Sequence, residues 1–317
     1  MFHINKKKIL LYCGIIGIIL LFLYPNNISK EKYDYITKEN ILYSLHEKLT
    51  ENFTSNAITA CDYYDIVNDD TSLSISLVDG DLEEGHKIKE GGEYAPSECK
   101  PKFSTAIIVP YRDRAEQLRG FLVYMHSFLH RQYIHYRIYV VEQVDTHPFN
   151  RAKLLNIGAI AAIKAGYPCL ILHDVDLLPE KTANIYTCLT SPRHMSSNIN
   201  RPRFALPYSN VFGGVISILS KQYKAINGMS NTYYGITGDN EDLLARVQAT
   251  DLKLCRFDPS ISQYHMTTND FISEIKPGKK DEEYSKQRMS KDGLNSLEFT
   301  EVATVLHPLF THIMVDL

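Results

Sequence analysis

Between residues 103 and 173, short apolar runs alternate with stretches of helical period, and this alternation narrows the possible folds more than any other feature. The run Ser104-Thr105-Ala106-Ile107-Ile108-Val109 is broken by Pro110, as expected of a strand buried on both faces. A helical pattern covers residues 115–128, a second strand is expected at 136–141, a helix at 152–165 and a third strand at 169–173. Strands and helices in this rhythm predict βαβ units and an α/β fold with a mixed, mainly parallel sheet flanked by helices. Ligands of such sheets bind beyond the carboxyl ends of the strands, so candidate chemistry is sought there.

The 317 residues are 44% hydrophobic and 22% charged, enough for one sizeable core. A formal net charge of −3 provides no basic excess, which argues against a nucleic-acid partner. Neither a Gly-x-Gly-x-x-Gly fingerprint nor a P-loop lysine motif is present, so dinucleotide cofactors and ATP have no support.

Lys6, Lys7 and Lys8 precede an uncharged run over 9–24, short for a bilayer span but compatible with a thin secretory-pathway membrane. It reads as a transmembrane signal anchor, with a cleaved signal peptide as the alternative. The residues after Leu23 (Tyr24, Pro25, Asn26, Asn27) offer no small-residue cleavage site. The lysines place residues 1–8 in the cytosol and everything after the span in the lumen. Residues 25–59 are polar, with an amphipathic piece around Ile41 to Leu49, and read as a stem before a globular domain over 60–317. Asn27 and Asn52 head acceptor triplets for N-glycosylation. Cys61, Cys99, Cys169, Cys188 and Cys255 then lie where disulfides form, and an odd number leaves one unpaired or paired between chains.

At the end of the third expected strand stands Asp174-Val175-Asp176. Two carboxylates one residue apart can hold a divalent cation that neutralises a diphosphate leaving group; elsewhere the same triplet is a turn or a cap. Pro110-Tyr111-Arg112-Asp113-Arg114 closes the first strand with guanidinium groups suited to a diphosphate and a ring suited to a base. The bland alternative is a solvated helix start capped by Asp113.

Phe149-Asn150-Arg151-Ala152-Lys153-Leu154-Leu155-Asn156, Phe212-Gly213-Gly214-Val215 and Asp292-Gly293-Leu294-Asn295-Ser296-Leu297 complete an ordered set of segments. Together these resemble the β-1,4-galactosyltransferase family from about Cys61 to the C-terminus. The resemblance implies a GT-A nucleotide-diphospho-sugar transferase fold and an inverting enzyme that uses Mn2+. Its donor would be UDP-Gal or UDP-GalNAc, and its acceptor a glycan of a glycoprotein or glycolipid ending in GlcNAc or glucose. It also implies a single-pass type II protein of the Golgi membrane. By position, Pro110, Tyr111, Arg112 and Arg114 match the uridine and diphosphate segment, and Phe149 and Arg151 a second nucleotide contact. Asp174, Val175 and Asp176 match the metal triplet, while Gly213 and Gly214 fall in the donor segment. Cys61 with Cys99 and Cys169 with Cys188 stand where the family forms disulfides, which leaves Cys255 over.

Several positions depart from the family pattern. Metal ligation by Asp176 and Met266 would be completed by Asn269 where the family has histidine; an amide oxygen is the weaker donor unless His265 swings in. The run from Tyr233 to Asp242 replaces a segment with two tryptophans; the chain has none, and Tyr234 and Ile236 occupy their places. Asn240 stands where the family has its catalytic aspartate, and an amide has no useful basicity, so Asp239, Glu241 or Asp242 would have to accept the proton. These acids also suit the first turn of a helix. Val211, where galactose-specific members carry tyrosine, leaves room for an N-acetyl group. The charged stretch over 277–283 replaces an apolar acceptor surface. Two further readings are a catalytically degenerate member acting as a luminal binding partner, and a metal hydrolase using Asp174, Asp176 and His265.

Overall fold

The computed structural model describes residues 12, 14, 15, 17, 35–47, 59–76, 87–200, 212–235, 238–268 and 287–317. Met1–Asp34 and Tyr35–Leu317 are separate units. In the first, Tyr12, Gly14, Ile15 and Gly17 are helical. No helix of the described residues is long and apolar enough to cross a membrane. Most of the expected span over 9–24 lies outside them, as do Asn27 and Asn52.

In chain order, the strands that build the second unit are β1 (Glu93–Tyr94), β2 (Ser104–Tyr111), β3 (His135–Gln143), β4 (Cys169–His173), β5 (Leu177–Pro179) and β6 (Arg193–His194). They continue with β7 (Asn198–Ile199), β8 (Val215–Leu219), β9 (Gln263–Met266), β10 (Thr300–Leu306) and β11 (Thr311–Asp316). The helices are α1 (Ala115–His130), α2 (Arg151–Lys164), α3 (Ser220–Ala225) and α4 (Asp239–Ala249). The main sheet runs β10-β11-β3-β2-β4-β8-β6, with β1 also paired to β3. β11, β3, β2 and β4 are parallel to one another, while β8, β6, β10 and β1 join antiparallel. The sheet is therefore mixed, with its parallel part confined to the centre. β10 and β11 are joined by a short turn, which only an antiparallel pair allows.

Side-chain alternation explains why the central strands read as unbroken apolar runs. Ile107, Val109, Ile138, Val140, Cys169 and Ile171 face one cluster, packed with Leu118, Phe121, Leu122 and Met125 of α1. Ala106, Ile108, Tyr139, Val141, Leu170 and Leu172 face a second, packed with Leu154, Leu155 and Ile157 of α2. A Cβ on Gly158 of α2 would lie 2.4 Å from Ile108 Cγ2 and 2.9 Å from Val141 Cγ2, so glycine sets how closely the helix lies on the sheet. Asn150 caps α2 by accepting the Lys153 N–H at 3.0 Å.

Pro110 does not end β2, contrary to the sequence expectation; the strand continues to Tyr111. Pairing with β4 stops at Ile108–Leu172, so beyond it β2 has one open side, where a missing N–H is tolerated.

A second sheet, β5-β9-β7, carries the chain back beside β4, with β9 antiparallel to β5 and parallel to β7. Within the span expected as stem, Tyr35–Ile36 pairs with Arg256–Phe257, and Ile41 and Leu45 are buried in the core. Both expected disulfides are present, Cys61–Cys99 and Cys169–Cys188, with Cα separations of 4.9 and 5.5 Å. Cys255 is a free thiol, its pKa pushed up to about 11 by burial.

Candidate active site

β2, β3 and β4 end side by side, and the segments leaving their carboxyl ends bring the expected residues together. After β2, Arg112 Nη1 donates to the His147 carbonyl at 2.7 Å, and its guanidinium lies 5.2 Å from the Phe149 ring centroid. Arg114 Nη1 stands 3.6 Å from Asp176 Oδ2. Asp113 adopts φ 54°, and the N-cap position of α1 is Arg114, without a side-chain cap. The capping role considered for Asp113 is thus not what it does.

Arg151 opens α2 and ties three segments together. Its Nε donates to Asp174 Oδ1 at 2.6 Å, and its Nη1 to Asp239 Oδ2 at 3.0 Å and to Asn240 Oδ1 at 3.4 Å. One guanidinium thereby links the end of β4 to the first turn of α4. Burial works against the Arg151 charge, but Asp174 and Asp239 outweigh it and raise its pKa. Burial pushes the Asp174 carboxyl up to about 6, with Arg151 opposing the rise.

Val175 is buried, and Asp176 is bonded to the two residues that follow β9. Its Oδ2 accepts the Thr268 hydroxyl at 2.9 Å, and its carbonyl accepts the Thr267 N–H at 2.9 Å. Antiparallel pairing sets Met266 opposite Leu177, so the thioether strand lies directly beside the carboxylate loop. Met266 and Tyr264 are buried on one side of β9, while His265 is half-buried on the other. There its Nδ1 accepts from Asn200 Nδ2 at 2.8 Å, and it lies 4.0 Å from Glu180. Strand alternation therefore turns His265 to the side of β9 opposite Met266, where Asn200 engages its ring. Asn269, Val211 and Ile236 lie outside the described residues.

The two glycines before β8 allow close approach. The Gly213 carbonyl accepts from His194 Nε2 and Ser196 Oγ, each at 3.0 Å, and a Cβ on Gly213 would sit 2.5 Å from Asn240 Nδ2. Gly214, at φ 75°, accepts the Asp174 N–H at 3.1 Å, and a Cβ there would lie 2.7 Å from both Leu177 Cδ1 and Ser196 Oγ. A side chain at Gly213 would have to displace Asn240, and one at Gly214 would have to displace Leu177 and Ser196.

Asp239, Glu241 and Asp242 form the acidic first turn of α4, as expected. Their environments separate them. Asp239 is held by Arg151. Asp242 accepts Arg246 Nε at 2.6 Å and Arg288 Nη2 at 2.9 Å, with its side chain only 1% exposed. Arg246 Nη1 also donates to the Asp292 carbonyl at 2.8 Å, and the Asp292 carboxylate accepts the Asn231 N–H at 2.8 Å. Asp242 is thus a structural anchor for 287–297. Glu241 is half-buried, with no hydrogen-bond or ion-pair partner among the described residues.

Thr268, Ser196, His194 and Asn200 hold these groups without having been singled out in the sequence. Their only sequence signal is polarity within otherwise buried stretches. Elsewhere, Asp145, His147 and Asp316 are grouped closely enough to hold an ion. Asp145, however, already accepts from Gln143 Nε2, His147 N and Leu317 N.

Two family models cover this arrangement. One, described as the N-terminal region of glycosyl transferase group 7, matches residues 66–189; the other, described as the N-terminal domain of galactosyltransferase, matches 193–270. The chain belongs to the β-1,4-galactosyltransferase family of glycosyltransferase group 7. Human and rat β-1,4-galactosyltransferase 3 are each 40% identical to it over 241 residues, which is 74% of this chain and 61% of theirs. β-1,4-Galactosyltransferase 2 of Cricetulus griseus is 39% identical over 234 residues, 72% of this chain and 63% of that protein. The chain thus spans under two thirds of these relatives' length. Among solved structures, a mutant of Drosophila β-1,4-galactosyltransferase 7 in complex with manganese, UDP-Gal and xylobiose matches with a TM-score of 0.58 and 28% identity. That match covers 68% of this chain and 94% of the fly chain.

Proposed function

We propose that this family member transfers Gal or GalNAc from a UDP-sugar to the terminal sugar of a glycan, with inversion, as a type II protein of the Golgi membrane. The observation that carries the reading is the convergence of Arg112, Arg114, Arg151, Asp174 and Asp176 at the carboxyl ends of three parallel strands. A solved relative in complex with manganese and UDP-Gal supports it. Membrane placement rests on the basic-then-apolar N-terminus alone.

The donor set fits a divalent cation. Among the described residues the Asp176 carboxylate meets a hydroxyl and a guanidinium 3.6 Å away, and β9 brings Met266 alongside. Asp176 and Met266, with Asn269 from the following segment, would hold Mn2+, and diphosphate oxygens would complete its coordination. When bound, the cation offsets the charge that gathers on the departing UDP. Arg112 and Arg114 orient the diphosphate, and Tyr111 and Phe149 present rings to the base. Arg151 holds Asp174 and Asp239 at the sugar's side of the site.

The proton of the attacking hydroxyl needs an acceptor. Asn240 is an amide, Asp239 is bound to Arg151 and Asp242 is enclosed by two guanidinium groups, so Glu241 is the open carboxylate of the turn. We assign it as the general base. The names of the relatives favour galactose, whereas the small Val211 admits an N-acetyl group. A donor competition decides between them.

The test is transfer by the detergent-solubilised full chain, with manganese, from UDP-Gal and from UDP-GalNAc to acceptors ending in β-linked GlcNAc or glucose. Transfer that disappears in Asp176→Ala supports the reading. A folded chain that binds UDP but transfers from neither donor is the degenerate member instead.

A further inference from the structure

His173 ends β4, one residue before the carboxylate triplet, and is fully buried. Its Nδ1 lies 2.9 Å from the Asp174 carbonyl and its Nε2 lies 2.9 Å from the Tyr186 hydroxyl, which is itself 2.9 Å from the Tyr264 hydroxyl. A carbonyl can only accept, so the hydrogen of the neutral ring sits on Nδ1. Nε2 then offers only a lone pair, and Tyr186 donates to it. With that hydrogen committed, the Tyr186 oxygen accepts from Tyr264. One backbone carbonyl thus sets the direction of every hydrogen in the series.

The series ends where the second half of the cation site begins. Tyr264 lies in β9, two residues before Met266 and on the same buried side. Its strand partner in β5 is Pro179, whose carbonyl accepts the Tyr124 hydroxyl at 2.7 Å. The Phe121 ring packs edge-on against His173 with centroids 5.1 Å apart, so the imidazole has little room to turn. Phenylalanine at 186 and 264 would fill the same space, and buried hydroxyls are costly unless bonded. Their use here calls for a role in direction as well as volume.

We propose that His173, Tyr186 and Tyr264 are positioning residues for the cation site: their hydrogen bonds fix the end of β4, from which the Asp176 turn leaves, relative to the strand bearing Met266. This rests on the reading of Asp176 and Met266 as cation ligands. Outer partners of metal ligands typically change affinity by ~10–100-fold when lost. The two hydroxyls act without touching the cation.

The test measures Mn2+ dissociation constants by electron paramagnetic resonance on the solubilised full chain, for the wild type, Tyr186→Phe, Tyr264→Phe and Asp176→Ala. Melting temperature and metal-free UDP affinity are measured in parallel. The proposal expects both Phe variants to bind Mn2+ about tenfold more weakly, to keep metal-free UDP affinity within about twofold, and to raise the KM for metal more than they lower kcat at saturating metal. Tyr264→Phe removes the terminal hydroxyl of the series and leaves the His173–Tyr186 bond in place. Unchanged Mn2+ affinity with a lowered melting temperature would reduce the series to core packing and overturn the proposal. A wild type that binds Mn2+ no better than Asp176→Ala would instead remove the cation-site reading itself, and the proposal with it.

Discussion

Each acid of the α4 turn is defined by what already holds it. Asp242 faces two guanidinium groups with its side chain 1% exposed, so Asp242→Asn leaves Arg246, itself fully buried, short of charge. Breaking one side of a buried ion pair costs ~3–5 kcal/mol, which a urea titration of the variant should show. Buried imidazoles provide a second residue-level prediction. Burial lowers the pKa of both His173 and His194 to about 3, below the ~6.5 of an unfolded chain. The unfolded state therefore takes up protons first, and stability is full above about pH 6.5 and declines toward pH 3. Each ring contributes a slope of up to ~1.4 kcal/mol per pH unit. Asp174, raised to about 6, gains a proton in the fold first and opposes them between about pH 6 and 4. Two rings outweigh one carboxyl, so melting temperature should fall on acidification from pH 7, and less steeply in His194→Gln. Sequence could name Arg151, Asp174 and Asp239 as site residues but could not join them. They are 23 and 88 residues apart, and their ion pairs exist only once β4 and α4 converge on α2.

The elements that could be read from sequence are those whose period is unmixed. The strand expected at 169–173 is found there, and the helix expected at 152–165 is Arg151–Lys164. Within that helix, Gly158 acts at the level of the element. Gly158→Ala forces a methyl onto Ile108 and Val141, and overpacking of this kind costs ~1–3 kcal/mol despite alanine's better helix propensity. Chemical denaturation should show the net loss; a stabilised variant would mean that α2 can lift off the sheet freely. The β10–β11 hairpin was not expected. In β10 the side chains are almost all exposed, and Val302, Val305 and Leu306 carry no inside–outside alternation to read. Pro110 misled for a related reason: its tolerance in β2 depends on where β4 stops, which is a fact of pairing and not of propensity.

At the scale of the molecule, the domain begins earlier than composition implies, because Ile41 and Leu45 reach the core from a segment that reads as polar stem. The same whole-chain view frames catalysis. In the proposed reading β2, β4 and α2 carry the donor side and α4 the proton-accepting side; the first turn of α4 is fixed to 287–297 through Asp242 and to β4 through Arg151. In that reading the family suggests the reaction class, and Asn240, an amide where the family resemblance implies an aspartate, makes the identity of the base the point to test. The deciding measurement is the single-turnover rate of sugar transfer by the full chain with manganese and its preferred UDP-sugar, compared among wild type, Glu241→Gln and Asn240→Asp. A displaced base predicts a wild type that transfers, a ~10²–10⁴-fold loss in Glu241→Gln, and a change of less than about tenfold in Asn240→Asp. An inert wild type that Asn240→Asp brings to life, with Glu241→Gln making no difference, would contradict the account and mark the chain as a member that lost its base.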